Sequence, residues 1–434
     1  MIKKNLYLRD LLSRDPFLKK SYEYFSSLNQ DIYLVGGYIR DYLLGREVTD
    51  IDFVSEVDGN VMAKKLADYF SEPYYSLDEA RGVGRVVLKK CKRTIDFSIS
   101  KQPIENDLKN RDFSINALAV HLLPYSSDEL RIIDVSCGLK DLEKKAIRVF
   151  DDESLKEDPI RILRAFRLSQ ELGFNIEEKT TGLIQGNKEL LLNVSKERIR
   201  NEFLLLLKIS EGWRGIKALL RTGVLEVVFP QLERIKGLEQ NTYHHLDVLS
   251  HSIETLKCLE EIISKPEKYF TGNAGVILSY LDKQVEAGVK KRTLLKLASL
   301  FHDLGKADTL SRDENGNIHF YRHAGRSRAI SEVILKKYRF GKKSIKVADK
   351  LIARHMRLGF LNELPEITEK AVRRFLRTCE DETVGVIILS VADRIAARGI
   401  RDEEKLKAFL KLANDLIVKK QEEIKVENIV ISGR

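Results

Sequence analysis

Asp50 and Asp52 stand two residues apart in Thr49-Asp50-Ile51-Asp52-Phe53. On a strand, the period of two sends both acids to one face and Ile51 and Phe53 to the other. Two carboxylates this close are costly unless something positive sits between them. A divalent cation meets that need, and hard oxygen ligands suit magnesium. Upstream, Ile32-Tyr33-Leu34-Val35 reads as a short buried strand. Gly36-Gly37 lets the backbone turn sharply and approach a ligand with no side chain in the way. Tyr38 to Leu44 reads as a short helix stopped by Gly45. Backbone N–H groups of the turn, with Arg40, suit a phosphate. Strand, glycine turn, helix and Asp-x-Asp strand together read as a site for a metal-bound triphosphate.

The stretch IYLVGGYIRDYLLGREVTDIDFV, Ile32 to Val54, resembles the head of the tRNA nucleotidyltransferases (CCA-adding enzymes) and bacterial poly(A) polymerases. That resemblance implies two magnesium ions on Asp50 and Asp52. A third carboxylate from a neighbouring strand completes a two-metal arrangement, and Asp96 in Arg93–Ile99 is the candidate. Arg85–Lys89 reads as its partner strand, and Ser71 to Arg85, with RGVGR, reads as a mobile loop. In Asp107–Ala119, Arg111 can pair with phosphate oxygens, and Asn116 offers a donor and an acceptor to a ribose. This segment resembles the family's RRDFTINALA. Lys109-Asn110 stands where many relatives have the first Arg, and Ser114 keeps the hydroxyl of their Thr. The resemblance implies that Arg111, Asp112 and Asn116 contact the incoming nucleotide.

Glu157 to Arg167 reads EDPIRILRAFR. As a plain helix start it is complete: Asp158 caps, Pro159 takes the first position, and Arg161, Arg164 and Arg167 form a solvated face. Asp158 and Arg161 also share that face. A carboxylate and a guanidinium together match the polar edge of a nucleobase. In the family the EDxxR segment selects CTP and ATP without a template, which implies nucleotide contacts for Asp158, Arg161 and Arg164. Ser195 to Ile199, SKERI, resembles the next family segment and is also a capping box.

Of the eight histidines, seven lie between His244 and His355. His251 opens one helical stretch, and His302-Asp303 ends another at Gly305. His323, His355 and Asp393 follow. Imidazoles with carboxylates on several helices suit a divalent transition metal. The ordered series resembles the HD superfamily of metal-dependent phosphohydrolases. It implies His251, His302, Asp303 and Asp393 as ligands, with His323 and His355 available to a second metal.

Composition bounds the rest. A chain of 434 residues with 43% hydrophobic content supports sizeable cores. Net charge of +10 suits a polyanion such as RNA, although 32% charged residues also suit the ion-pair surface of a heat-stable protein. Four scattered cysteines without a CxxC pair fit a reducing cytoplasm. No stretch reads as a membrane span or signal peptide.

The expected fold class is α+β: a small nucleotidyltransferase head with a mixed or antiparallel sheet, then an all-α neck, body and HD domain. The expected divisions are a helical lead-in over 1–28, the head over 29–150, a neck over 151–236 for nucleobase and RNA binding, the HD domain over 237–400, and a helical tail over 401–434. The apolar ending Ile429–Ile431 leaves open a chain cut short. The expected activity is template-independent addition of CCA to the 3′ end of tRNA from CTP and ATP, with the tRNA acceptor arm as partner. A-only or CC-only addition, poly(A) synthesis, and an HD-type phosphohydrolase acting on RNA ends are the alternatives. Oligomeric state stays open.

Overall fold

A computed structural model describes residues 6–28, 31–48, 50–100, 102–123, 128–240, 246–397 and 403–432. Thr49, His244, Asp402, Gly433 and Arg434 lie outside them. Two compact units divide the chain. The first runs to Arg161 and includes Leu172–Asn187; the second takes Ile162–Glu171 and the chain from Lys188 onward.

The first unit is built on a seven-stranded sheet. Its order is Tyr74–Asp78, Val83–Leu88, Arg93–Ile99, Ile51–Ser55, Ile32–Val35, Leu118–Leu123 and Ile132–Asp134. Only the pairing of Ile51–Ser55 with Arg93–Ile99 is parallel, so the sheet is mixed as expected. Period-two alternation divides it. Phe53 and Phe97 stack on one face, ring centroids 5.1 Å apart, with Phe25 set edge-on to both. Val35, Val54, Ala117 and Ala119 form a second buried cluster with Ile104 and Leu108.

The lead-in is less plain than its sequence suggested. Buried Asp15 caps the helix Pro16–Ser27, accepting from the N–H of Phe17 and Leu18. It also accepts from Arg93 at 2.6 Å and from the Tyr38 hydroxyl at 3.4 Å. One carboxylate thus ties the lead-in to the sheet and to the helix behind the glycine turn. The stretch Ser71 to Arg85, read as a loop, carries the edge strand Tyr74–Asp78 and the start of Val83–Leu88. An edge strand buries neither side well, so it leaves no clear alternation to read.

Among its described residues the second unit is helical apart from two short hairpins, Gln284–Glu286 with Val289–Lys290 and Leu310–Arg312 with Ile318–Phe320. Strands of two or three residues fall below any legible period. Thr383–Ala396 and Lys291–Phe301 are buried almost throughout, which matches the long apolar run of the first. Buried lysines on the second are matched: Lys291 donates to Glu382 at 2.9 Å, and Lys296 lies 2.7 Å from Glu260. No helix among the described residues is long and apolar enough to cross a membrane.

Candidate active site in the head and candidate metal centre in the helical unit

Asp52 pairs in register with Asp96 across the parallel strands, as Phe53 does with Phe97. The pairing that stacks the two rings on one face therefore sets the two carboxylates side by side on the other. Asp50 precedes the strand, and its carboxylate accepts from the backbone and hydroxyl of Thr94 at 3.3 and 3.0 Å. Burial pushes the Asp52 carboxyl up to about 6; Arg111 pulls it back, while Asp96 and Asp50 push it up again. A half-buried carboxylate beside two others is a site that calls for positive charge. The donor set is all oxygen, which fits magnesium.

The glycine turn closes against these acids. Gly36 has φ 74°, and a methyl group there would lie 2.8 Å from Arg111 Nη1 and 3.6 Å from Asp52 Oδ2. Any other residue would strain the backbone and push Arg111 aside. Arg111 is itself anchored by Asp107 at 3.1 Å.

Arg40 takes a place that its sequence position did not suggest. It is buried, and its fork spans both oxygens of Asp41 at 3.0 and 2.7 Å. Its remaining nitrogen donates to Asn116 Oδ1 at 2.6 Å, and Asn116 Nδ2 donates to Asp112 at 2.9 Å. The guanidinium read as a phosphate ligand is thus spent inside the protein, where it fixes Asn116.

Asp158 and Arg161 do not share a helix. The helix begins at Arg161, two residues later than Pro159 implied, and the Asp158 carbonyl accepts from the Arg161 N–H at 3.0 Å. Arg161 donates to Ser154 Oγ and to the Asn110 carbonyl, each at 2.6 Å. Arg161 therefore abuts the Arg111 segment. Arg164 belongs to the second unit and pairs with Glu202 at 3.4 Å.

Sequence reasoning missed Arg85. Its guanidinium closes on both oxygens of Asp96 at 2.7 and 2.6 Å. Arg85 and Asp96 are direct cross-strand partners, so correct strand pairing would have found it.

In the second unit, the structure gathers all six expected residues. His251 Nε2 is 2.8 Å from Asp393, His302 Nε2 is 3.1 Å from Asp303 and 3.6 Å from Asp393. His323 and His355 approach Asp303 at 3.4 and 3.9 Å and each other at 3.3 Å. His302, His323 and His355 each set Nδ1 against a carbonyl three residues back, at 2.9, 2.8 and 2.7 Å. With Nδ1 as donor, each Nε2 presents a lone pair to the shared centre. Burial disfavours charge on His302, but Asp303 and Asp393 outweigh it and raise its pKa; His355 is pushed down to about 3 by burial and by the neighbouring imidazoles. The His302 Nε2 and both Asp303 oxygens carry no hydrogen bond. That pattern fits a divalent metal. Lys306, which the reading passed over, lies 2.7 Å from Asp303; its i,i+3 spacing was the available signal.

Comparison with known proteins matches three successive segments of the chain. The family described as "Poly A polymerase head domain" matches residues 32–148. "Probable RNA and SrmB- binding site of polymerase A" matches 173–236, and "HD domain" matches 248–398. The chain is 30% identical to an A-adding tRNA nucleotidyltransferase of Deinococcus radiodurans over 90% of its own length and 82% of that protein. It is 31% identical to a CC-adding tRNA nucleotidyltransferase of Thermus thermophilus over 86% of its length and 78% of that protein. A solved Thermotoga maritima CCA-adding enzyme complexed with tRNA superposes with a TM-score of 0.64 at 21% identity, over 97% of this chain and 87% of that one. The last is a likeness of fold. Sequence identity sustained across most of two curated relatives, on a sheet that sets Asp52 against Asp96, makes this chain a member of the tRNA nucleotidyltransferase family, an enzyme with a poly(A) polymerase-type head and an HD domain.

Proposed function

We propose that this enzyme adds nucleotides to the 3′ end of tRNA without a template, using CTP and ATP to build CCA. The observation that carries the reading is the register of Asp52 with Asp96, flanked by Asp50, Arg111 and the Gly36 turn. In this reading Asp50, Asp52 and Asp96 would hold two magnesium ions, which supply positive charge to the attacking 3′ hydroxyl and the departing pyrophosphate. Arg111 holds the triphosphate, Asn116 takes the ribose, and Arg161, on the Asn110 carbonyl, stands beside that segment with Asp158 for the base. A tRNA substrate suits a cytoplasmic enzyme. A second reading, A-only or CC-only addition, is favoured by the two relatives matched over most of this chain.

The deciding experiment offers three tRNA primers, ending before CCA, after C and after CC, with CTP alone, with ATP alone and with both together. Growth of all three to a common CCA end supports full addition. Extension of only the last primer, by ATP, means A-addition. Unbounded growth with ATP means poly(A) synthesis, and no extension of any primer sinks the reading.

The ordered Nε2 lone pairs of the second unit support a further phosphohydrolase activity on RNA ends. His251, His302, Asp303 and Asp393 would hold a divalent transition metal, which supplies an activated water. The paired change His302→Ala with Asp303→Ala removes phosphoesterase activity while nucleotide incorporation persists. Asp50→Asn with Asp52→Asn does the reverse.

A further inference from the structure

The helix Glu369–Cys379 in the second unit carries Lys370, Arg373, Arg374 and Arg377. These spacings of three and four put all four cations on one face about 100° wide. All four are exposed, and the opposite face buries Val372, Phe375, Leu376 and Cys379. Among these four, the neighbouring pairs at three and four residues are of like charge, which is destabilising along a helix. The helix's own acid, Glu369, is taken by Lys419. Among the described residues no carboxylate comes within ion-pair distance of any of the four.

The face continues into a groove of about 370 Å³ lined by Arg357, Phe360, Leu364, Lys370 and Arg374. Arg357 also has no ion-pair partner among the described residues. Phe360 is 55% exposed. Arg357 and Phe360 line a second cavity of about 710 Å³ as well, the one that opens over Asp303, His323, His355 and Asp393. A face of mutually repelling cations that the fold leaves unneutralised is stable only if something outside supplies the anions, or if the cost is retained for a function.

We propose that this face, with Arg357 and Phe360 beside it, docks the sugar–phosphate backbone of the RNA substrate. The inference rests on the nucleotide-addition reading for the identity of that RNA. Four cations over about 10 Å of helix axis match about three successive phosphates of one strand. The exposed Phe360 ring offers an unpaired base a stacking surface. A basic lipid-binding helix would set its own large apolar side chains beside its cations; this helix buries its own, Val372, Phe375, Leu376 and Cys379.

The test replaces Lys370, Arg373, Arg374 and Arg377 together by Gln in the full chain. RNA affinity is read by fluorescence anisotropy with a labelled tRNA across a salt series, without nucleotide. The variant should bind at least about tenfold more weakly, and its slope of log K against log salt should be shallower by about 2 to 3, at about 0.9 per lost phosphate contact. KM for tRNA should rise while kcat at saturating tRNA holds. The melting temperature should stay level or rise, because the repulsion is relieved; a structural role would lower it. A variant with wild-type affinity and slope overturns this proposal while leaving nucleotide addition standing. A wild-type protein that binds no tRNA overturns both. Loss of binding to anionic lipid vesicles with tRNA affinity intact assigns the face to another polyanion and overturns the RNA proposal.

Discussion

Asp52 and Asp96 face each other across two parallel strands, and the guanidinium of Arg85 grips Asp96 from the next strand over. Arg85 on Asp96 and Arg111 near Asp52 set two positive groups against three carboxylates. Replacing Asp52 by Asn should lower nucleotide incorporation by roughly 10²–10³-fold, the scale of losing one essential electrostatic group. Arg85→Gln removes the ion pair on Asp96 and leaves Arg111 to face the three carboxylates. Added magnesium should then raise the melting temperature of the variant more than that of the wild type. An equal magnesium response in both would mean that these acids share no cation.

Arg40 predicts a different signature. It touches Asn116 through a fork that lysine lacks. Arg40→Lys keeps the charge and releases the amide. Steady-state kinetics should show about a tenfold fall in kcat/KM for the nucleotide, and weaker discrimination of ribose from deoxyribose. A purely structural Arg40 would lower stability and leave that discrimination as it was.

The histidine centre is testable by metal content. His302 holds its Nδ1 on the Ser299 carbonyl and its Nε2 toward Asp303 and Asp393. His302→Ala should weaken divalent metal binding by about 100-fold or more, measured by titration of metal-free protein with zinc or manganese. Retention of full affinity would remove this cluster from the account.

Asp349 gives a pH prediction away from both sites. Burial pushes its carboxyl up from 3.8 to about 6, with Arg328 pulling part of the way back. One of its oxygens has no hydrogen-bond partner, and Arg328 stands 4.0 Å from the other. The folded protein holds this proton more tightly than the unfolded chain. The group's contribution is therefore most favourable below about pH 4 and is lost as pH rises through 6. Asp349→Asn should stabilise the protein by about 1 kcal/mol at pH 8, after allowance for the carboxylate's partial exposure. The gain should vanish below pH 4 in denaturant titrations, and a pH-independent difference would contradict the assignment.

Local pattern carried much of this protein. The period of two at Asp50–Phe53 and the Gly36-Gly37 turn are legible because they depend on neighbours only two or three residues away. The series His251, His302-Asp303, His323, His355 and Asp393 is legible as a set of ligand types in order. What the chain could not announce is pairing across distance. Arg40 looks like a phosphate ligand until the fold sets Asn116, 76 residues on, against its guanidinium. Arg85 opens a strand legible in the sequence, but only the register of that strand sets it directly opposite Asp96. Asp15 sits in a lead-in that offers no evident chemistry until Arg93 and Tyr38 close on it. Side-chain type and short spacing fixed which residues could do chemistry. Only strand register and helix packing decided which carboxylate meets which cation, because charge interactions depend on distance in space, and the sequence records distance only along the chain.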